Sequence, residues 1–354
     1  MRVHLLPEGF LVRPPTLDDV PLVHALLQAC ARDEYGTDEA MWGTREALQA
    51  EWQAPGVDPA ADAWLVTTAD GRLAGYALAA EEGLADASIG MTTRVAPAYR
   101  GRGISTFLLS RVEQWALARL AMAPASTHAT LTTWVSQVNE AARQLLEQVG
   151  YRRRQSSWLM EIQMQEMPAA PRWPQGMMVR TVVPGREERI VFETVQEAFS
   201  DLRGYLPTSY EEWEHWMVKR EEVDLSLWFL AWDEQELAGC SLCEYRAGCG
   251  WVEQLAVRRP WRHQGLGMAL LLYSFGTFYH RGTTEVRLLV DAESLTGATR
   301  LYERAGMQRI RQYDNYEKVV RTGKGGYRFD RMACKDPFDT LGFAPPVHER
   351  PDSC

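Results

Sequence analysis

Two stretches of this chain repeat one pattern, and any fold must accommodate both. The first is Val95-Ala-Pro97-Ala-Tyr-Arg100-Gly101-Arg102-Gly103-Ile104-Ser105, and the second is Val257-Arg-Arg-Pro-Trp-Arg262-His263-Gln264-Gly265-Leu266-Gly267-Met268. In each, an apolar strand-like run ends, a glycine loop turns, and an apolar helix-like run begins. Such a turn leaves several backbone N–H groups converging at a helix N-terminus, with no glycine Cβ to block a close ligand. Each run therefore predicts an anion cradle. One short glycine run is weak evidence, because glycine turns before helices are common. Two copies about 160 residues apart are much stronger and point to an internal repeat at domain scale.

The repeat extends beyond the loops. Trp64, ten residues and Gly75 overlay Trp228, ten residues and Gly239, and both copies end Leu-Ala-Gly. Hydrophobic periodicity and turn residues give each half the same order, β-α-α-β-β-β-α-β-α-β. In the first half this runs from the strand Phe10–Arg13 and the helix capped by Thr16 to a final strand over Tyr151–Met164. In the second half it runs from the strand at Met178 to a final strand over Arg311–Val319. The 354 residues suit two domains of ordinary size. The expected division is an N-terminal domain over 1–165, a Pro-rich linker over 166–175, a C-terminal domain over 176–320 and an irregular tail over 321–354. The fold class expected is α/β with a mixed sheet in each half.

A formal charge of −9 and the lack of a Lys/Arg cluster argue against a nucleic-acid binder. No apolar stretch reaches the roughly 18 residues needed to cross a bilayer, and the N-terminus has no signal-peptide core, so a cytoplasmic protein without a membrane partner is expected. Six cysteines in a chain this long do not make a disulfide framework. Cys240-x-x-Cys243 lies in an expected strand, where residues three apart point to opposite faces. The pair is thus expected as buried apolar groups, with no metal site.

The spacing Arg262-x-x-Gly265-x-Gly267 after a strand end resembles motif A of the GNAT superfamily of N-acetyltransferases. A second motif, Ala298-x-x-Leu301-Tyr302-x-x-x-Gly306-Met307, is similar to that family's Asn-x-x-Ala-x-x-Leu-Tyr-x-x-x-Gly-Phe. The resemblance implies two tandem GNAT acyl-CoA N-acyltransferase domains that use acetyl-CoA. It places the cofactor's pyrophosphate on Arg262, His263, Gln264, Gly265, Leu266, Gly267 and Met268, and its thioester carbonyl near the backbone of Leu255, Ala256 and Val257. Thr296 and Ala298 join this set. Leu295 stands where the family has asparagine, so Ser294 or Thr296 is expected to cap the helix. Tyr302 takes the role of general acid toward the leaving sulfur, which a phenol with an ordinary pKa of about 10 can fill at neutral pH.

The first half carries the matching set Val95, Arg100, Gly101, Arg102, Gly103, Ile104, Ser105 and Asn139, but it has Leu146 where Tyr302 stands. A leucine has no proton to give, so the first domain is expected to be non-catalytic and the second active. Glu253, four residues before Val257, should face the same side of its strand unless a bulge intervenes, and is the candidate general base, the alternative being a surface carboxylate or a substrate anchor. The resemblance places acceptor recognition on the first two helices of the active half. There the run Asp201–Trp216 mixes aromatic and acidic residues that suit a small-molecule amine. Two readings remain open beside an N-acetyltransferase: a non-enzymatic acetyl-CoA sensor, and an aminoglycoside-type resistance enzyme. The internal duplication suits a monomer.

Overall fold

The computed structural model describes residues 4–38, 44–54, 56–82, 87–122, 128–201, 205, 207–220, 223–294 and 297–321. The expected tail beyond Arg321 lies outside them. The first half contains β1 (Phe10–Arg13), α1 (Val20–Tyr35), α2 (Arg45–Trp52), the short α3 (Pro59–Asp62), β2 (Ala63–Thr68), β3 (Leu73–Glu82), β4 (Ala87–Val95), α4 (Ile104–Met122), β5 (Ala129–Ser136), α5 (Glu140–Gln148) and β6 (Arg152–Gln163). The second contains β7 (Met177–Thr181), α6 (Glu188–Phe199), α7 (Tyr210–Met217), β8 (Trp228–Asp233), β9 (Glu236–Arg246), β10 (Cys249–Val257), α8 (Leu266–His280), β11 (Glu285–Asp291), α9 (Ala298–Arg304) and β12 (Gln308–Arg321). Apart from α3, this is the expected order twice over. Among the described residues no helix is long and apolar enough to cross a membrane.

Local chemistry explains most of the boundaries. Thr44 Oγ1 accepts from the Ala47 N–H at 3.0 Å and starts α2, and Ser209 Oγ accepts from the Glu212 N–H at 3.1 Å and starts α7. Thr16 does not cap α1 itself. It opens a 3-10 turn, Leu17–Asp19, in which its N–H donates to Asp19 Oδ2 at 2.8 Å, and α1 follows. Gly150 ends α5 with φ of +95° and Gly306 follows α9 with φ of +94°, as helix-terminating glycines do.

The chain divides into two compact units, and not where the linker was expected. One comprises the described residues up to Arg154 with Asp314–Arg321, and the other comprises Gln155–Tyr313. The closing strands are therefore exchanged: most of β6 belongs to the second unit and the later part of β12 to the first. Residues 166–175 carry no helix or strand, but the division falls inside β6. An apolar strand records that it will pair, not with which partner, and that choice rests on side-chain packing over long sequence distance.

The first unit's sheet runs β1-β2-β3-β4-β5-β12 and the second's runs β6-β11-β10-β9-β8-β7. In the second unit β6 pairs antiparallel with β11, Met160 opposite Leu288. Each sheet has helices on both faces. In the second unit α6 and α7 pack on one face through Val191, Val195, Trp213 and Met217. On the other, α8 and α9 pack through Leu270, Phe275 and Tyr302. Cys240 belongs to the first of these clusters and Cys243 to the second, which is the opposite-face placement their spacing requires. Burial pushes the two thiols up to about 12 and about 11.

Candidate active site

The second glycine loop is built as a cradle. A 3-10 turn, Arg259–Trp261, brings the chain out of β10, and the loop then enters the left-handed region at His263 (φ +60°) and Gly265 (φ +86°). Gly265 is the N-cap of α8, and no side chain caps that helix. Ala269 N–H is bonded to Gly265 O at 3.0 Å. The N–H groups of Leu266, Gly267 and Met268 come before that bond, in the turn where a helix has no internal acceptor to offer. A Cβ on Gly267 would come 3.3 Å from Leu301 Cδ1, so the lack of a side chain lets α9 lie against the start of α8.

The loop's side chains hold its shape. Arg262 donates to Val257 O at 3.0 Å, to Asp201 Oδ2 at 2.7 Å and to Ala198 O at 2.8 Å. Its guanidinium thus fastens the loop to the end of α6 through three of its five N–H donors. Gln264 Nε2 likewise donates to Pro260 O at 2.9 Å. Arg259 and Arg262 together hold the Asp201 carboxyl down at about 2.

Below the loop a slot opens. β10 and β11 run parallel and pair at Gly250–Val286 and Trp251–Arg287, and no pair follows. Leu255, Ala256 and Val257 lie beyond that point, on main chain that borders the gap. The loop amides at its end and the unpaired strand along its side fit an elongated ligand with a pyrophosphate, such as an acyl-CoA.

Glu253 stands at the place where β10 is irregular. Val252 pairs with Cys243 and Gln254 with Leu242, so Glu253 has no partner of its own on β9 and forms a bulge. The bulge does intervene, therefore, and Glu253 does not share a side with Val257. Val257 packs with the α8 cluster, whereas the Glu253 carboxylate is reached by Arg246 Nη2 at 2.8 Å on the α6–α7 face. Its side chain is 2 % exposed. Burial pushes the carboxyl up to about 7 against the opposing charge of Arg246. Tyr302 lies in the core on the other face, and burial raises its hydroxyl well above the ordinary phenol value.

One expectation for the start of α9 changes. Its N-cap is Gly297 (φ +77°) with no side-chain cap, so Ser294 does not fill that position. Leu295 and Thr296 lie outside the described residues, as do 202–204 and 206 of the expected acceptor region.

The first unit keeps the outline and differs at several of these positions. Gly101 and Gly103 are left-handed (φ +75° and +85°), Ile104 is buried at the start of α4, and β4 and β5 pair as far as Gly90–Thr132 and then part, leaving Val95 beyond the split. Arg100 pairs with Asp33 and, at 3.7 Å, with Glu34, while Arg102 lies over the Tyr99 ring at 5.5 Å. Ser105 occupies the place of Gly267. Asn139 was expected among the ligand-binding groups, but its Oδ1 caps α5 at the Ala142 N–H and its Nδ2 donates to Glu34 at 2.6 Å. β3 and β4 pair without a break from Gly75–Val95 to Glu82–Ser88, so no bulge and no residue equivalent to Glu253 exists there. Sequence reading left open whether a bulge intervenes, and the strand lengths could not decide it, since β4 and β10 both have 9 residues.

Comparison with known proteins agrees with this geometry. The acetyltransferase (GNAT) family profile matches residues 23–151 and again 190–307. A mycothiol acetyltransferase from Geodermatophilus obscurus is 29 % identical over 262 residues, covering 69 % of this chain and 78 % of the relative. One from Salinispora arenicola is 30 % identical over 278 residues, covering 74 % and 83 %. Among solved structures, a GCN5-related N-acetyltransferase from Sphaerobacter thermophilus has 37 % identity and a TM-score of 0.77, over 90 % of this chain and 98 % of that one. A tandem GNAT protein from the clavulanic acid biosynthesis pathway shares the fold at 15 % identity and a TM-score of 0.68, over 88 % and 98 %. Since the family's pattern falls on each half in turn, this chain is an N-acetyltransferase belonging to the acetyltransferase (GNAT) family, with two such domains in tandem.

Proposed function

We propose that the chain transfers the acetyl group of acetyl-CoA to a primary amine of a small molecule, by direct attack in a ternary complex, and that the second unit performs the chemistry. One observation carries this reading: in the second unit the β10 bulge sets the buried Glu253 carboxylate on one face of the slot, with Tyr302 of α9 in the core on the other. The first unit has Leu146 at the helix position and an unbulged β4, and a buried carboxyl there, Glu51, comes instead from α2, near Arg94 and Tyr76.

The amides of Leu266, Gly267 and Met268 would hold the pyrophosphate, and the main chain of Leu255–Val257 would hold the thioester carbonyl. Bound acetyl-CoA supplies an activated acyl group with a thiolate leaving group. Glu253, with its carboxyl near 7, is matched to take a proton from an incoming ammonium at neutral pH. Tyr302 keeps its proton under the same conditions and is suited to give it to the departing sulfur. Base and acid on opposite faces suit a displacement in which amine and thiol occupy opposite sides of the carbonyl carbon. The α6–α7 face then receives the acceptor.

The test is a panel of acceptors incubated with acetyl-CoA and purified protein: mycothiol-type cysteinyl sugars, polyamines, aminoglycosides and peptide N-termini. Mass spectrometry reads the gain of one acetyl group. The expected result is one class acetylated, with the product lost in Tyr302→Phe. No product from any class, or a product unaffected by Tyr302→Phe, overturns the proposal.

A further inference from the structure

One polar cluster in the second unit has no role in the scheme above. Arg246 Nη2 donates to Glu253 Oε2 at 2.8 Å and to Glu244 Oε1 at 2.6 Å, and its Nε donates to Glu244 Oε1 at 3.0 Å. Arg220 pairs with the other Glu244 oxygen, and its Nε donates to Trp216 O at 2.6 Å, near the end of α7. Arg246 also lies over the Trp251 ring at 4.3 Å. Four charges thus alternate in sign from α7 to Glu253. Their side chains are 17, 8, 19 and 2 % exposed in the order Arg220, Glu244, Arg246, Glu253.

Stability does not account for this arrangement. Buried ion pairs repay their desolvation poorly, and apolar residues of similar size commonly do as well or better. The first unit shows that this sheet folds without them: at the register where Glu244 faces Trp251, it has Ala80 facing Gly90. The cluster occurs only where the bulge places a carboxylate beside the slot.

We propose that Arg246 is a positioning residue for acetyl transfer: it fixes the Glu253 carboxylate and the charge it carries, while Glu244 and Arg220 divide its pull and tie the base to the end of α7. This rests on Glu253 being the base. Glu253 faces Arg246 and Glu244 from β9, Arg220 from the segment after α7, and Trp251 from its own strand, and its charge is also felt by Cys243 on the other face. Burial and Glu244 favour its protonated form, whereas Arg246, Arg220 and the Trp251 indole favour the carboxylate. Removing Arg246 leaves the first two less opposed, so the proton is held more tightly. Neutralising Glu244 does the reverse. A cluster that served only folding would move the titration without moving the acid limb of the activity profile.

The experiment is carbon-13 NMR of the full chain labelled at glutamate carboxyls, with Glu253→Gln identifying the resonance, alongside pH profiles of kcat/KM for the best acceptor of the panel. In Arg246→Gln the Glu253 titration and the acid limb of the profile should both move up by roughly one to three pH units, as expected when an adjacent opposite charge is lost. Arg246→Lys should restore most of the shift, and Glu244→Gln should move both downward. The KM for acetyl-CoA should stay within about twofold, because the loop is untouched. Unmoved titrations in a folded Arg246→Gln protein overturn the proposal, as do shifts of one sign in both variants. If Arg246→Gln fails to fold, Glu244→Gln decides alone. Full activity in Glu253→Gln would overturn the base assignment instead, and is told apart because the resonance shifts would persist.

Discussion

Tyr302 and Glu253 lie on opposite faces of one sheet, flanking the strand pair that separates after Trp251 and Arg287. Tyr302 reaches its place because α9 packs against the start of α8, close to Gly267. Glu253 reaches its place because a single inserted residue turns it toward α7. In β4, which lacks the insertion, Met91 lies four residues before Val95 and packs with the α4 cluster on the opposite face.

Replacing Tyr302 by Phe should lower kcat by roughly 10²- to 10⁴-fold, the usual weight of a general acid, and leave the acetyl-CoA KM within about twofold. Burial is the sole cause of the raised hydroxyl value, with no hydrogen bond contributing, so the variant should be no less stable. Steady-state kinetics and a thermal melt check both parts.

Glu253 must be unprotonated to act as a base, so kcat/KM should rise as pH rises through about 7. In Glu253→Gln that limb should disappear. Stability should respond in the other direction. The folded carboxyl sits above its unfolded value of about 4.3, so its contribution is greatest below that value and is lost as pH rises toward 7. Urea midpoints at pH 5 and pH 8 should differ less in Glu253→Gln than in the parent protein.

Gly239 is required by space. A Cβ there would stand 2.6 Å from Ala256 O and 3.3 Å from Val257 Cα, both main chain beside the slot. Gly239→Ala should destabilise the protein by about 2 kcal/mol or more through that clash. Gly276, inside α8 with nothing within 4 Å of an added Cβ, is the control. Gly276→Ala should stabilise by about 0.5–1 kcal/mol. Denaturant unfolding of the two variants gives the comparison.

Arg262→Met should weaken CoA binding by roughly tenfold, because the loop loses its charge-assisted bonds to Asp201, Ala198 and Val257. Calorimetry of the variant, with kcat measured at saturating acetyl-CoA, separates this from damage to the chemistry. A kcat near the parent value is expected.

The parts of the fold that depend on neighbouring residues were legible in the sequence. Thr44, Ser209, Gly150 and Gly306 mark their helix ends through their own hydrogen bonds or backbone angles, and periodicity placed nearly every helix and strand within a few residues. The paired glycine loops were legible for the same reason, since a left-handed residue before a helix is a local demand, whereas Tyr302 was singled out only by the family resemblance. The short α3 was not read, because four residues carry no period.

What the tertiary structure decided was partnership across distance. The exchange of β6 and β12 between units depends on which sheet edge each strand packs against, and alternating side chains do not name an edge. Asn139 keeps its residue type but spends its amide on α5 and Glu34. The direction of Glu253 turns on a bulge, and its charge on Arg246 and on Glu244, seven and nine residues away along the chain yet side by side across two strands. Sequence alone thus determined the elements and the shape of the glycine loops, which are set by local backbone geometry. Only folding determined which charges meet in the interior, where low dielectric makes their pairing decisive.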